Sequence, residues 1–268
     1  MSSAFFDERP RYVAVCDVLG FRQMLEADGS ALLATKFCEV LDSALDASYN
    51  STLDFTYRLN SVVFSYTILM WSETSTKPRE FKVHGMAFLL LLSGFFRTAL
   101  RCRFPLRIGV AFGPVVIEPD NHIFIGTPIV NAHLTEQAQD WVGIACHNSC
   151  RHAPGNREQS VALDGKYHGP MVGYKIPFKD GKNVPAHHTL DWPAWESEFL
   201  EPSIEAALRS AVAKYAGTPF EKRWSRALDY FLHRRRTYPY GQILSHQMLE
   251  NMFAEARRKR KRRSTFTK

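Results

Sequence analysis

The chain has 268 residues, 45% of them hydrophobic and 23% charged. That composition buries a core and excludes disorder, collagen and coiled coil as descriptions of the whole. The formal net charge of +7 equals the seven positive charges of the run Arg257, Arg258, Lys259, Arg260, Lys261, Arg262 and Arg263, so the body is neutral and the basic character belongs to a C-terminal tail. The length accommodates one large domain, one domain with an extension, or two small ones.

Five cysteines, with no secretory apolar region near Met1, point to a reducing compartment and free thiols, and hence to a cytoplasmic protein. The most apolar stretch, Met86 to Phe96, is about half of the roughly twenty residues a membrane-spanning helix needs. It reads as a buried helix, and no membrane insertion is expected.

From Arg11 the sequence Tyr-Val-Ala-Val-Cys-Asp is apolar and β-rich; Gly20 then breaks it, and a helical pattern follows through Leu25 and from Ala31 to Leu45. Phe55 to Leu59 and Val62 to Trp71 predict two strands joined at Asn60 and Ser61. Glu80 to Arg101 has helical length. Leu106 to Gly113 and Val115 to Ile117 predict a strand pair, with His122 to Ile125 returning, then a helix from Pro128 to Gln139 and a strand from Trp141 to Cys146. The order is βαββαβ with additions, which implies an antiparallel sheet covered by helices on one face. Beyond Cys150 the texture turns polar. Ile204 to Tyr215 and Glu221 to Arg236 then read as amphipathic helices, the first with Ile204, Leu208, Ala211 and Val212 on one stripe.

Asp17 closes the first strand, just before a glycine turn. An acid there is costly to bury without a cation or hydrogen-bond partners. A metal ion satisfies it, as does service as a turn or helix cap. Cys146-His147-x-x-Cys150-x-His152 has the residue types of a zinc site, but it begins in an apolar strand and lacks a second cysteine pair. Neither a serine triad nor a Walker loop is legible. The basic run lacks interleaved aromatics and reads as a solvated tail, with no stable nucleic-acid partner expected.

The ordered set of Ala14-Val15-Cys16-Asp17-Val18-Leu19-Gly20-Phe21, Leu106 to Gly113, and Phe124-Ile125-Gly126 leading into a helix resembles the catalytic domain of class III nucleotide cyclases over roughly Arg11 to His147. Within that class, Phe64-Ser65-Tyr66-Thr67-Ile68, Ile123 to Val130 and Trp141-Val142-Gly143-Ile144 look like the bacterial anti-phage pyrimidine cyclases of Pycsar systems. The resemblance implies an α+β fold, a ferredoxin-like βαββαβ core of the class III cyclase type with a C-terminal α/β extension. With the change of texture after Cys150 and the charge run, this divides the chain into a catalytic domain over residues 1–150, an extension over 151–256 packing on the core or a dimer partner, and a flexible basic tail over 257–268.

The implied reaction converts UTP, or alternatively CTP, to the 3′,5′-cyclic monophosphate and pyrophosphate, by a homodimer whose product activates a separate effector. The implied cofactor is a divalent metal, Mn²⁺ or Mg²⁺, held by the carboxylate of Asp17 and the backbone carbonyl of Val18. Arg107 matches the strand arginine that reaches substrate phosphates; a structural ion pair at a strand end is the other reading of that residue. Phe21 packs beside the ribose or plugs the core, and Arg58 meets a pyrimidine carbonyl or faces solvent.

The chain departs from the family where the second metal acid belongs, because Tyr66 stands there. Asp17 then suffices with water and triphosphate oxygens, or Asp54 compensates, or activity is weak or lost. The transition-state Asn and Arg positions fall on Val130 and Leu134, and the purine-specifying positions on Val62 and Ile123. These departures leave a second expectation open, a degenerate cyclase fold kept as a nucleotide sensor or interaction module. The cyclase reading needs Asp17 to face a cleft rather than be locked against an arginine with no room for an ion.

Overall fold

The structure is a computed structural model that describes residues 7–50, 59–153, 161–163, 166–168, 170–195 and 203–237. Strand β1 (Arg9–Val18) leads through Gly20 into α1 (Phe21–Asp28) and α2 (Ser30–Asn50). The hairpin β2 (Asn60–Phe64) and β3 (Thr67–Trp71) follows, then α3 (Pro78–Arg101) and β4 (Leu106–Glu118). After β5 (Ile123–Ile125) come α4 (Thr127–Ala138) and β6 (Gly143–His147). A separate hairpin of β7 (Val161–Leu163) and β8 (Lys166–His168) precedes β9 (Met171–Gly173), β10 (Ala186–Leu190), α5 (Ile204–Lys214) and α6 (Pro219–Thr237).

The main sheet has the order β2-β3-β1-β4-β6-β10-β9. Strand β1 is antiparallel to both β3 and β4, and β2 to β3. The four strands with their intervening helices are therefore a ferredoxin-like βαββαβ core, and the fold is α+β. Strand β6 joins parallel to β4 by the crossover through α4, and β10 and β9 continue the sheet antiparallel. Residue 150 thus falls inside a continuous layer, and the segment beyond it completes the sheet.

Alternation along β1 sorts the side chains into two faces. Tyr12, Ala14, Cys16 and Val18 join the main core with Phe88, Leu92, Phe95 and Phe96 of α3, Leu208 of α5 and Phe231 of α6. Val13 and Val15 point the other way, where Val15 meets Ala111 and Ala132 of α4. The expectation of helices on one face is corrected by this packing: α4 covers the opposite face. Its buried stripe is Pro128, Ala132, Thr135 and Glu136, too small and too polar to announce a second apolar layer.

The hairpin also differs from expectation. The turn is Ser65–Tyr66, inside the run Val62 to Trp71 that reads as one strand, and Ser65 turns it with φ 57°. No Gly or Asn-Gly marks it. Residues 51–58 lie outside the described residues. Strand β4 runs unbroken through Pro114, which stands opposite Pro10, where neither residue has an N–H to offer the other. Its final residues pair with β5.

Helix α3 is longer than the apolar run within it. Among the described residues it is the one helix long and apolar enough to cross a bilayer, and most of it is buried in the core. On the same side α6 is fastened by charge. Arg223 Nε donates to Asp140 Oδ1 at 3.1 Å, Arg226 pairs with the same carboxylate, and Arg234 pairs with buried Asp191. The αL turn at Gly20 (φ 74°) abuts this helix, since a Cβ there would lie 2.9 Å from Cζ of Phe220.

Candidate active site

Asp17 and Arg107 face each other across β1 and β4 in the antiparallel register, with Thr67 of β3 on the other side of Asp17. Both project to the face that α4 covers. Helix α4 lies very close there because β4 offers it a glycine: a Cβ on Gly109 would sit 2.0 Å from the Ala132 carbonyl oxygen and 2.5 Å from the Glu136 nitrogen. This close approach carries Glu136 onto the arginine.

All three nitrogens of the Arg107 guanidinium are engaged. Nη2 donates to Asp17 Oδ2 at 3.0 Å, Nε to Glu136 Oε1, and Nη1 to the Gln139 carbonyl at 3.3 Å. Gln139 is itself fixed, its Nε2 donating to the carbonyls of Ile108 (3.0 Å) and Thr135 (3.1 Å) while its Oε1 accepts from Trp141 Nε1 (2.7 Å). Arg107 is 7% exposed and Glu136 2%. The planar fork suits this double carboxylate contact as a lysine would not.

Two carboxylates thus share one guanidinium in a poorly solvated place, and burial raises both. Burial pushes the Glu136 carboxyl up to about 7, against the pull of Arg107 and with a further push from the Asp17 charge. Burial also raises Asp17, opposed by Arg107 and then Lys179. Lys179 borders the cluster. Its backbone N–H donates to the Ala138 carbonyl (2.8 Å) and its Nζ to that of Gln137 (2.6 Å), and burial followed by the Arg107 charge lowers its pKa.

Phe21, first residue of α1, and Tyr66 meet with ring centroids 5.1 Å apart and planes inclined by 31°. Phe37 meets Phe21 edge-on, with ring centroids 6.5 Å apart. Tyr66 remains 44% exposed, so the hairpin turn contributes an aromatic surface at the position of the expected second acid. Val18 is buried at the end of β1, opposite Leu106. The expected residues therefore assemble as two pairs, Asp17 with Arg107 and Phe21 with Tyr66. Arg58 and Asp54 lie outside the described residues, as does the basic tail.

On α4, Val130 and Leu134 are exposed and offer no polar group. No motif in the sequence singles out Glu136 or Gln139. The available signal was helical spacing: Ala132, Glu136 and Gln139 share one stripe at i, i+4 and i+7, so the acid had to face the sheet along with the alanine. The side chains of the cysteine-histidine run have other surroundings. Cys146 and Cys150 are buried free thiols, His147 Nδ1 accepts from Ser149 N at 3.1 Å, and no group of three or more metal-binding side chains occurs among the described residues.

For a divalent ion the donor set fits one position at most. Asp17 is paired with Arg107 through Oδ2, with its side chain 16% exposed at the strand end, so Oδ1 alone is left for a hard cation. A two-ion site asks for a second carboxylate, and Tyr66 supplies a phenol instead.

No protein-family model matches the sequence, and no curated protein matches it. Among solved structures the chain is similar to the guanylyl cyclase Cya2, at 17% identity over 74% of this chain and 98% of that one, with a TM-score of 0.39. It is also similar to the catalytic core of a rhodopsin-guanylyl cyclase with converted specificity in complex with ATPαS, at 13% identity over 68% and 95% of the two chains, TM-score 0.44. A third is the guanylate cyclase domain of RhGC from Catenaria anguillulae in complex with GTP, at 14% identity over 69% and 97%, TM-score 0.42.

Proposed function

We propose that the chain is a nucleotide cyclase that converts UTP, or CTP, to its 3′,5′-cyclic monophosphate, a second messenger in bacterial anti-phage defence read by a separate effector. Although the ion pair with Arg107 takes up one Asp17 oxygen and weighs against it, the observation that carries the reading is the strand register that sets the two residues side by side. It joins two motifs 90 residues apart into one charged site beside the Gly20 turn and the Tyr66 hairpin. In the reaction the ribose 3′-oxygen attacks the α-phosphorus. That new P–O bond replaces the bond to the bridging oxygen, pyrophosphate leaves with the electron pair, and the hydroxyl proton passes to solvent.

Positioning and charge neutralisation supply most of the rate. A divalent ion, when bound with the triphosphate, stabilises the developing alkoxide and the leaving group. Asp17 and the Val18 carbonyl are the groups to hold it. Phe21 and Tyr66 border the sugar and base. The apolar Val62 and Ile123, at the purine-specifying positions, support the pyrimidine preference. The reading calls for a homodimer, to whose interface exposed Phe64 (83%) and Ile125 (67%) are available.

A second reading, a nucleotide sensor without turnover, is favoured by two observations: Arg107 is spent on protein groups, and Tyr66 replaces an acid. One experiment separates the two. The purified protein is incubated with Mn²⁺ and each of the four nucleoside triphosphates, and products are resolved by chromatography, with calorimetry for binding. The cyclase reading expects cyclic UMP or cyclic CMP, abolished by Asp17→Ala. Conversion of ATP or GTP alone removes the pyrimidine assignment. Binding without product leaves the sensor, and neither binding nor product removes both.

A further inference from the structure

We propose that Glu136 is a positioning residue, setting the orientation of the Asp17 carboxylate through Arg107. A buried carboxylate is costly, and an apolar residue at a helix–sheet contact is usually the more stable choice. Glu136 nevertheless stands in the buried stripe of α4, next to the glycine that lets the helix close on the sheet. Its Oε1 accepts from Nε, the one guanidinium nitrogen whose direction is set by the arginine stem, so the plane of the group is fixed. The Gln139 carbonyl takes Nη1, and Nη2 is left aimed at Asp17 Oδ2. Gln139 cannot yield, because both ends of its amide are bonded.

The groups facing Glu136 are few. From its own helix His133 Nδ1 lies 3.8 Å from Oε2; from the sheet come Arg107 and, at longer range, Asp17; from the segment after β9 comes Lys179. None replaces the Nε contact. Glu136 touches no substrate in this scheme. It holds the arginine that holds Asp17, and what Asp17 then does rests on the cyclase reading.

The test uses the full chain with Glu136→Met, which removes the acceptor, and Glu136→Gln, which keeps it. In ¹⁵N-resolved spectra, Arg107 of the unaltered protein should show restricted rotation about Cζ–Nε with a protected Nε–H. Glu136→Met should abolish that pattern, and Glu136→Gln should retain it. In turnover with UTP and CTP, Glu136→Met should lower kcat by about a hundredfold with KM changed by less than about twofold, as misplacement of a reacting-site group does. Glu136→Gln should recover at least about tenfold of that loss.

A freely rotating Arg107 in the unaltered protein overturns the proposal, as does a Glu136→Met variant that keeps the spectral pattern, keeps kcat, or loses only KM. If Glu136→Met does not fold, the unaltered protein and Glu136→Gln decide it. If no triphosphate is converted, the cyclase reading falls and the spectra still decide the placement of Arg107.

Discussion

Gly109 of β4 lies so close beneath Ala132 of α4 that its missing side chain is part of the interface: a Cβ would stand 2.0 Å from the Ala132 carbonyl. Backbone, not a flexible side chain, occupies the space. Gly109→Ala is therefore expected to push α4 off the sheet and to cost at least about 2–3 kcal/mol in urea unfolding. Gly173→Ala, which meets nothing within 4 Å, should stay within about 0.5 kcal/mol. Equal midpoints for the two would show that the close approach is not a feature of the molecule.

Arg107→Met would leave the Asp17 and Glu136 carboxylates without their shared cation. Removing one member of a buried ion cluster costs about 3–5 kcal/mol. Adding Glu136→Gln to that variant should restore more than about 1 kcal/mol, because the two sites are in contact and their effects are not additive. Urea midpoints of the single and double variants measure this coupling; strict additivity would contradict it.

Burial raises the Glu136 carboxyl from its ordinary 4.5 to about 7. Across that window the native chain binds more protons than the unfolded one, so this group's contribution falls as pH rises from about 4.5 to about 7. Asp17, also raised, acts with the same sign. His84, His147 and His188 are lowered by burial and act with the opposite sign, so the informative quantity is a difference. The stability gap between Glu136→Gln and the unaltered protein should widen in favour of the variant from pH 4.5 to 7. Parallel curves would rule out a carboxyl titrating there.

Ser65 holds a left-handed conformation, φ 57°, in the two-residue turn of the β2–β3 hairpin. A side chain in that region costs about 1–2 kcal/mol, and glycine adopts it freely while losing more chain entropy. Ser65→Gly is expected to stabilise by about 0.5 kcal/mol, and Ser65→Val to destabilise by about 1 kcal/mol or more. Denaturation of the two variants in parallel decides it, and an order reversed from this one would mean the turn takes another form.

The elements that the sequence makes legible are those whose pattern is local. A continuous apolar, β-rich run exposes β1, length and apolarity expose α3, and Ile204, Leu208 and Ala211 mark the buried stripe of α5. The turn at Ser65 escapes because no residue there is a habitual turn former. The unbroken β4 escapes because Pro114 reads as a stop until Pro10 is found opposite it. In the site, Asp17 and Arg107 are legible from motif order, but their bond to each other is not, since it depends on strand register. Glu136 is hidden by a different cause: its role comes from Gly109, 27 positions earlier, which lets the helix descend. Tyr66 stands out as a missing acid, whereas its ring contact with Phe21 follows only from the hairpin folding back.

Strand β6 is flanked by β4 on one side and β10 on the other, and Asp140, just ahead of it, is gripped by two arginines of α6. A shortened chain ending at Ala153 would strip that flank bare, presenting a row of unpaired amides to any neighbouring molecule. It would also release the residue next to Gln139. The smallest fragment able to keep Asp17 and Arg107 in register is therefore expected to reach Thr237, and shorter ones to self-associate.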